Sequence, residues 1–570
     1  MFRFLVIFYL LPIQSLDQNA FSSIPIPSCT NLTGSWCCEE TVVVQTGINV
    51  ATSAIYGTGI GIVTNYTINI TFTNAPNPII GTLALNCNSI SWENGAQWVR
   101  SAKPWIPSVP APEWASNLSA ILEINALAYT SPNGNGTGDG SGTFASLTAK
   151  VPYLQSLGIN GLWLAYYNIA TRHFYGIRSV YAAIDPQTID PTLGTPEDFT
   201  TFVTACHTAN IKVFLDVIGH GLVNESKWIK LHPEWFNGGS WGMVDYNYSN
   251  IGFLDWWASV WEYYILGQET IENGVDGFRI DISDPSWWTS GIWDKIANKA
   301  VESGHPVAIW GESSRYHFSQ HDLIAPINNL TQHAVGDKAL GNCLNTLQLS
   351  CHDSGWENNP GNYFFLKGSR AQFANGALHV YIPLWLGGDE YDEDPVIDLP
   401  LLKKDLYGTS GLPGGWMYGS VRNWSQLDNP SSRQSLMLAD TTALLSVQRL
   451  HADVLHRNVC IAEFMSLNNA ISGTDAPLTL DPFARWLPSI KAILILANDG
   501  LKSANIVINV PLSVMGFNPN DFFDVTVLYG AGEPIPKRMS GLSLSMLNIT
   551  IQPDLTPGGG AHVIMITPVA

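Results

Sequence analysis

The chain has 570 residues, too many for one hydrophobic core, so several domains are expected, one of them large enough to be a barrel. Hydrophobic residues make up 46% and charged residues only 13%, about half the usual charged share, so something other than charge must keep the surface soluble. A net charge of −20 argues against nucleic acid and against an anionic membrane as partners, since both require clustered Lys and Arg, and a neutral substrate fits better.

The chain begins Met1-Phe-Arg, followed by an apolar run over residues 4–13. That run is too short to span a bilayer and predicts a signal peptide over 1–16, hence a secreted, extracellular protein. Sequons of the form Asn-X-Ser/Thr stand at Asn31, Asn65, Asn69, Asn117, Asn135, Asn224, Asn247, Asn329, Asn423 and Asn548, and N-linked glycans there would supply the missing surface polarity. No later segment reaches the apolar length of a membrane helix, so no membrane partner is expected. Cys29, Cys37, Cys38 and Cys87 crowd into the first ninety residues, and Cys343 and Cys351 lie eight apart. In an oxidising compartment these are disulfide candidates, with a connectivity that spacing leaves open.

Residues 28–103 carry short Thr-, Ile- and Val-rich runs at 40–45, 66–72 and 80–85 between turn residues, which predicts a small all-β accessory module. Its Trp36, Trp92 and Trp98 fit either a core or a sugar-binding face. The Pro-rich stretch 104–112 reads as a stiff linker. Beyond it, apolar runs at 121–129, 161–166, 212–218, 277–281, 306–310 and 379–386 alternate with helix-like segments. Runs without period-2 alternation fit strands covered on both faces, which predicts an α/β fold, a (β/α)8 TIM barrel over 113–465 with a short inserted domain around 221–255. Strand-like runs at 492–497, 504–510 and 524–528 predict a C-terminal β-sandwich over 478–570. The glycine-rich stretch 133–142 lacks the lysine and the spacing of a phosphate loop and reads as a surface loop.

Four polar clusters fall at or just beyond predicted strand ends, where barrel enzymes place their chemistry: Asp216-Val-Ile-Gly-His220, Gly277-Phe-Arg-Ile-Asp281, Trp310-Gly-Glu-Ser313 and Ser350-Cys-His-Asp-Ser354. Taken singly, each has a structural reading: Asp216 or Asp353 as a helix cap, His220 as a core histidine, Arg279 in a structural ion pair. A strand as apolar as 277–281 nevertheless buries charge only when that charge is paired or used. With Gly142-Thr-Phe-Ala-Ser-Leu147, Leu157-Gly-Ile-Asn-Gly-Leu-Trp-Leu164, Tyr181-Ala-Ala-Ile-Asp-Pro186, Leu193-Gly-Thr-Pro-Glu-Asp-Phe199 and Gly387-Gly-Asp-Glu390, the four clusters resemble the ordered signature regions of the α-amylase superfamily, glycoside hydrolase family 13. The first ninety residues stand outside the resemblance.

The resemblance implies a secreted retaining enzyme that hydrolyses or transfers α-glucosidic bonds of starch- or glycogen-like glucans. It casts Asp281 as nucleophile, Glu312 as general acid/base and Asp353 as the third carboxylate, on sugar hydroxyls. Arg279, two residues before Asp281 and on the same strand face, would hold the nucleophile ionised. His220 and His352 would bind the ring being cleaved, and Tyr175 would stack on it. Three departures carry their own expectations. The Asn that precedes the first-signature His and commonly ligates calcium is Gly219, which offers no side-chain oxygen, so no cofactor and no metal is expected there. Tyr175-Gly176 stands where the family has Gly-Tyr. The 40 residues between Glu312 and Asp353 predict a contracted sixth β/α unit, and the short segment from His220 to about residue 255 predicts a small extra domain over an open cleft. From a different class, the accessory module, the low charge and the sequons also fit a non-catalytic extracellular carbohydrate-binding or assembly protein on the same barrel, although no catalytic carboxylate has been lost.

Overall fold

A computed structural model describes residues 107–130, 142–171, 181–267, 273–312, 315–321, 330–352, 369–391, 422–532 and 535–569, together with strands between residues 34 and 99. The chain divides into two compact units, residues 1–106 with 332–341 and residues 107–331 with 342–570.

In the first unit eight strands, Gly34–Trp36, Thr41–Thr46, Asn49–Ala54, Gly57–Thr64, Thr67–Phe72, Ile79–Leu83, Ser89–Trp92 and Gln97–Val99, pair antiparallel in chain order. Ile68 and Ile70 are buried while Thr67 and Asn69 between them are exposed, the alternation of a sheet with one dry face. Trp92 belongs to that dry face. A Cβ at Gly81 would lie 2.7 Å from its ring, so glycine there lets the indole lie flat on the neighbouring strand. Trp92 is therefore core and not a sugar platform.

The second unit is built on eight parallel strands: β1 Ile121–Ile124, β2 Gly161–Leu164, β3 Lys212–Ile218, β4 Gly277–Asp281, β5 Ala308–Gly311, β6 Phe318–His321, β7 Thr346–Gln348 and β8 Ile382–Leu386. Each pairs with the next, and β8 closes on β1 with Leu384 opposite Ile121. Every residue of β1, β2, β4 and β5 is buried, as expected for strands with side chains on one face and helices on the other. Helices Phe144–Leu157, Pro196–Thr208, Ile251–Leu266 and Ile292–Glu302 follow β1, β2, β3 and β4. Local chemistry starts them. Thr195 and Asp198 form a reciprocal capping box with Pro196 at the first turn, and Thr143 with Ser146 does the same for the first helix. Inside the barrel, Ile121, Trp163, Phe214, Trp310, Phe318 and Leu384 pack with Ala115 of the 3-10 turn Glu113–Asn117 and with Leu118 just after it.

The shortening expected in the sixth β/α unit falls in the fifth. Only residues 312–317 join β5 to β6, with no helix among those described, while helix Leu330–Leu340 stands between β6 and β7 in the chain. Parallel neighbours normally need a dozen or more residues to cross over. Here Phe318 pairs beside Trp310, so β6 starts high on the barrel and the chain drops back very little. Beside this joint, His317 accepts the Ile309 N–H at Nδ1 and donates from Nε2 to the Val109 carbonyl, and the Ser108 N–H donates to Asp294. Residues 107–112 of the Pro-rich stretch are thus seated on the barrel instead of spanning open solvent.

The C-terminal strands form a six-stranded and a three-stranded antiparallel sheet over one apolar core that includes Leu494, Ile506, Phe523 and Ile549. This sandwich takes in Phe464–Ser466 and Ile471–Ser472, ahead of residue 478. Arg485 of strand Phe483–Leu487 and Arg457 both donate to the His379 carbonyl, and Arg457 donates also to that of Ala377. These carbonyls end helix Ser369–Leu378, so two buried guanidinium groups cap its negative pole and tie the sandwich to the barrel. Among the described residues a disulfide joins Cys343 to Cys460, not to Cys351, whose Sγ instead lies 2.7 Å from Gln348 Nε2, and Cys29, Cys37, Cys38 and Cys87 lie outside the described residues. No described helix is long and apolar enough to cross a membrane.

Candidate active site

Barrel register brings the polar side chains together. Asp216 on β3 stands opposite Arg279 on β4, and Ile218 opposite Asp281, so one layer of inward side chains holds the charge. Arg279, 1% exposed, gathers three carboxylates: Nη1 lies 2.7 Å from Asp281 Oδ1 and 3.1 Å from Asp216 Oδ1, and Nη2 lies 3.1 Å from Glu312 Oε1. The indole of Trp163 covers the guanidinium face at 4.8 Å. Because the amino groups that hold Asp281 and Glu312 are neighbours on one planar fork, the two carboxyl groups fall inside the roughly 10 Å outer limit for a glycosidase pair.

The turn after β4 is strained for a purpose visible in the contacts. Ile282, immediately after Asp281, has φ 46°, a left-handed backbone that a β-branched residue rarely adopts. Its N–H donates to Glu312 Oε2 at 2.7 Å. Strain of this kind, on the order of 1–3 kcal/mol, persists where surrounding contacts over-determine it.

Two histidines flank the carboxylates. His220 Nε2 is 3.8 Å from Asp281 Oδ2, and burial lowers its pKa to about 4, so the imidazole is neutral at physiological pH. His352 Nδ1 donates to Glu123 Oε1 at 2.5 Å, which fixes the tautomer and orientation of the ring. Tyr181 joins the two sides: its hydroxyl donates to Asp216 Oδ2 at 2.6 Å, and its ring stacks on His352 with centroids 4.6 Å apart. Asp281, Glu312, Arg279, His220 and His352 are therefore assembled in one place, whereas Asp353 and Tyr175 lie outside the described residues.

Sequence reasoning missed Glu123 and Tyr181 as site residues. Glu123 was detectable as the sole charged side chain in the apolar run 121–129, and Tyr181 stood inside a quoted signature without a role.

Burial pushes the Asp281 carboxyl up to about 8; the Arg279 guanidinium opposes this, and Glu312 and Asp216 add to it. Burial likewise raises Asp216, again against Arg279. Burial alone would lower the Arg279 pKa, but its three carboxylates carry it well above the usual range. Three carboxylates around one cation leave excess negative charge, which adds to burial in favouring the protonated forms of Asp216 and Asp281. A carboxyl whose folded pKa is raised stabilises the fold while protonated: its contribution is complete below about pH 4 and is lost as pH rises toward about 8. Urea denaturation of ligand-free protein across this window should therefore show the stability of Asp281→Asn gaining on that of wild type as pH rises. Parallel curves for the two proteins would contradict the charge count.

Gly219 shows why the usual calcium ligand is missing. A Cβ there would lie 2.5 Å from the Trp287 ring, which stacks on Tyr248 at 5.3 Å, and the Tyr248 hydroxyl donates to the Gly219 carbonyl at 2.8 Å. Aromatic rings fill the place of a ligating side chain, so calcium does not fit at this position. Among the described residues Glu123, Cys351 and His352 bring potential ligand atoms within 4.8 Å of one another, with the carboxylate already bound by the imidazole. A recess of about 770 Å³ lies on the outer face of the barrel, lined by Thr148, Thr200, Thr201, Thr204, Thr208 and Asn273. With no titratable group in its wall, it offers no acid or base, and the chemistry belongs to the carboxylate cluster.

Residues 128–234 match the family model described as the α-amylase catalytic domain. The chain is 25% identical over 236 residues to the intracellular maltogenic amylase of Bacillus subtilis, a match covering 38% of each chain. It is 31% identical over 116 residues to an α-amylase of Bacteroides thetaiotaomicron, covering 20% of this chain and 16% of that one. The matched segments thus span well under half the length of these relatives. Among solved structures, trehalose-6-phosphate hydrolase of Bacillus licheniformis superposes with a TM-score of 0.54 at 14% identity over 80% of this chain and 100% of that one. A maltogenic α-amylase of Thermotoga neapolitana gives 0.51 at 18% identity over 80% and 98%. At these identities the likeness is one of fold.

Proposed function

Taking the chain as a member of the α-amylase superfamily, we propose that it is a retaining glycoside hydrolase or transglycosylase that cleaves α-glucosidic bonds of starch- or glycogen-like glucans. The observation that carries this reading is the placement of Asp281 and Glu312 on adjacent amino groups of the Arg279 guanidinium. Asp281 attacks the anomeric carbon as the bond to the leaving oxygen breaks, and Glu312 gives that oxygen its proton. The resulting glycosyl ester of Asp281 is opened by water or by a second sugar hydroxyl, whose proton returns to Glu312. In the ligand-free protein burial keeps a proton on Asp281 up to about pH 8, so the first step requires that Asp281 give it up and that Glu312 carry one, and Arg279, 2.7 Å from Asp281, assists by stabilising the ionised nucleophile. Neutral His220 can donate to or accept from sugar hydroxyls, and His352, oriented by Glu123, lines the same site.

Export is part of the same proposal. It is supported by the apolar run at 4–13, by the Cys343–Cys460 disulfide, a bond kept in oxidising compartments, and by the exposure of sequon residues Asn117, Asn224 and Asn548.

The test is stereochemical. Purified protein incubated with soluble starch, glycogen and maltooligosaccharides should release product first as the α-anomer, followed by proton NMR before mutarotation. First appearance of the β-anomer, or no turnover of any of the three, would remove the mechanism.

A further inference from the structure

We propose that Glu123, Cys351 and His352 form a zinc site in the wall of the barrel mouth, and that filling it switches the enzyme off; the second half rests on the functional reading above. One carboxylate oxygen, one sulfur and one imidazole nitrogen from these side chains all lie within 4.8 Å of one another, and all three residues are buried. A four-coordinate zinc ion with bonds of about 2.0–2.3 Å holds its ligand atoms roughly 3.3–3.6 Å apart, so side-chain shifts of about 1 Å close the trio around it. The Tyr181 hydroxyl, 3.2 Å from His352 Nδ1, is within reach as a fourth donor. Thiolate, imidazole and carboxylate together suit zinc, whereas calcium calls for about six to eight oxygens, which this trio does not supply.

A second feature points at the sulfur. A buried cysteine ordinarily packs as a small hydrophobe. Here Gln320 Nε2 donates to Gln348 Oε1, which turns the Gln348 amide so that its Nε2 donates to Cys351 Sγ at 2.7 Å. An N–H aimed at sulfur stabilises the thiolate over the thiol, and such hydrogen bonds around ligating atoms hold a metal site in shape. Both glutamines are buried on β6 and β7, so barrel closure itself fixes the relay.

Filling the site changes the histidine. Cys351 loses its thiol proton to solvent, zinc takes Sγ, His352 Nδ1 and a Glu123 oxygen, and the imidazole proton moves from Nδ1 to Nε2. The ring stays neutral but in the opposite tautomer, and the hydrogen bond by which Glu123 orients it is gone. His352 then serves the metal and is lost to the substrate.

Protein stripped of metal with EDTA should bind zinc in a calorimetric titration. That affinity should fall at least about a hundredfold in Cys351→Ser, because losing a ligand costs more than the roughly tenfold to hundredfold of losing an outer partner. Cobalt in place of zinc should give thiolate-to-metal charge transfer in the near ultraviolet, absent from Cys351→Ser and from Cys351→Ala, with thermal midpoints identifying the folded variant. Saturating zinc should lower wild-type turnover of maltooligosaccharides at least about tenfold and that of Cys351→Ser less than about twofold. No charge-transfer band in wild type, or the same band and affinity in a folded variant, overturns the site. A band with turnover indifferent to zinc overturns the inhibitory role. A wild type that shows the band but is inert on every α-glucan sinks the catalytic reading alone, because the spectrum reports on the site without turnover.

Discussion

Replacing Asp281 by Asn should lower kcat on α-glucans by about 10,000-fold or more, the loss expected when the nucleophile of a covalent mechanism is removed. Binding should survive, since the Arg279 cluster and both histidines remain. Glu312→Gln should behave differently in a way that separates the two roles. Without a proton donor, turnover of glucan should collapse, whereas a substrate with a good leaving group, such as an α-glucosyl fluoride, should lose far less in the first step because its departure needs no proton. Initial rates of both variants on both substrates decide the matter. Equal losses for Glu312→Gln on the two substrates, or an active Asp281→Asn, would mean that the carboxylates are misassigned.

Arg279→Met should destabilise the fold by about 3–5 kcal/mol near neutral pH, because it leaves Asp216, Asp281 and Glu312 clustered in the barrel mouth with no counter-charge. The sign of the pH dependence is fixed by the same argument. Without the guanidinium the folded pKa values of Asp216 and Asp281 rise further above their unfolded values, so the deficit should be small at about pH 4 and grow as pH increases. Arg279→Lys keeps the charge but not the fork, and one ammonium cannot bridge two neighbouring carboxylates and a third, so an intermediate deficit with strongly reduced activity is expected. Denaturation midpoints at pH 5 and pH 8 test this. A Met variant as stable as wild type at both values would show that the cluster is balanced by something other than Arg279.

Much of the barrel was legible because six of its strands are apolar runs, and an apolar run between turn signals reports burial on both faces. Strands β6 and β7 escaped for an equally physical reason. Each is three or four residues long and places a polar side chain in the interior, where Gln320 Nε2 donates to Gln348 Oε1, so neither leaves a hydrophobic signature. The run 121–129 read as one strand, but Asn125 accepts the Leu127 N–H and starts the helical turn Ala126–Tyr129, cutting the strand after Ile124. A single side-chain hydrogen bond thus outweighed the apolar pattern.

What the sequence determined by itself was local. The apolar runs set most strands, the capping residues set helix starts such as Thr195, and the spacing of Arg279 and Asp281 put both on one strand face. Only the tertiary structure decided which distant groups meet: Asp216 and Glu312 on the Arg279 fork, Glu123 on His352, Tyr181 between them, Cys460 on Cys343, and Trp287 in the space that a side chain at Gly219 would need. These partners lie far apart along the chain and are brought into register by closure of the barrel, a geometric condition on all eight strands at once that no local pattern encodes.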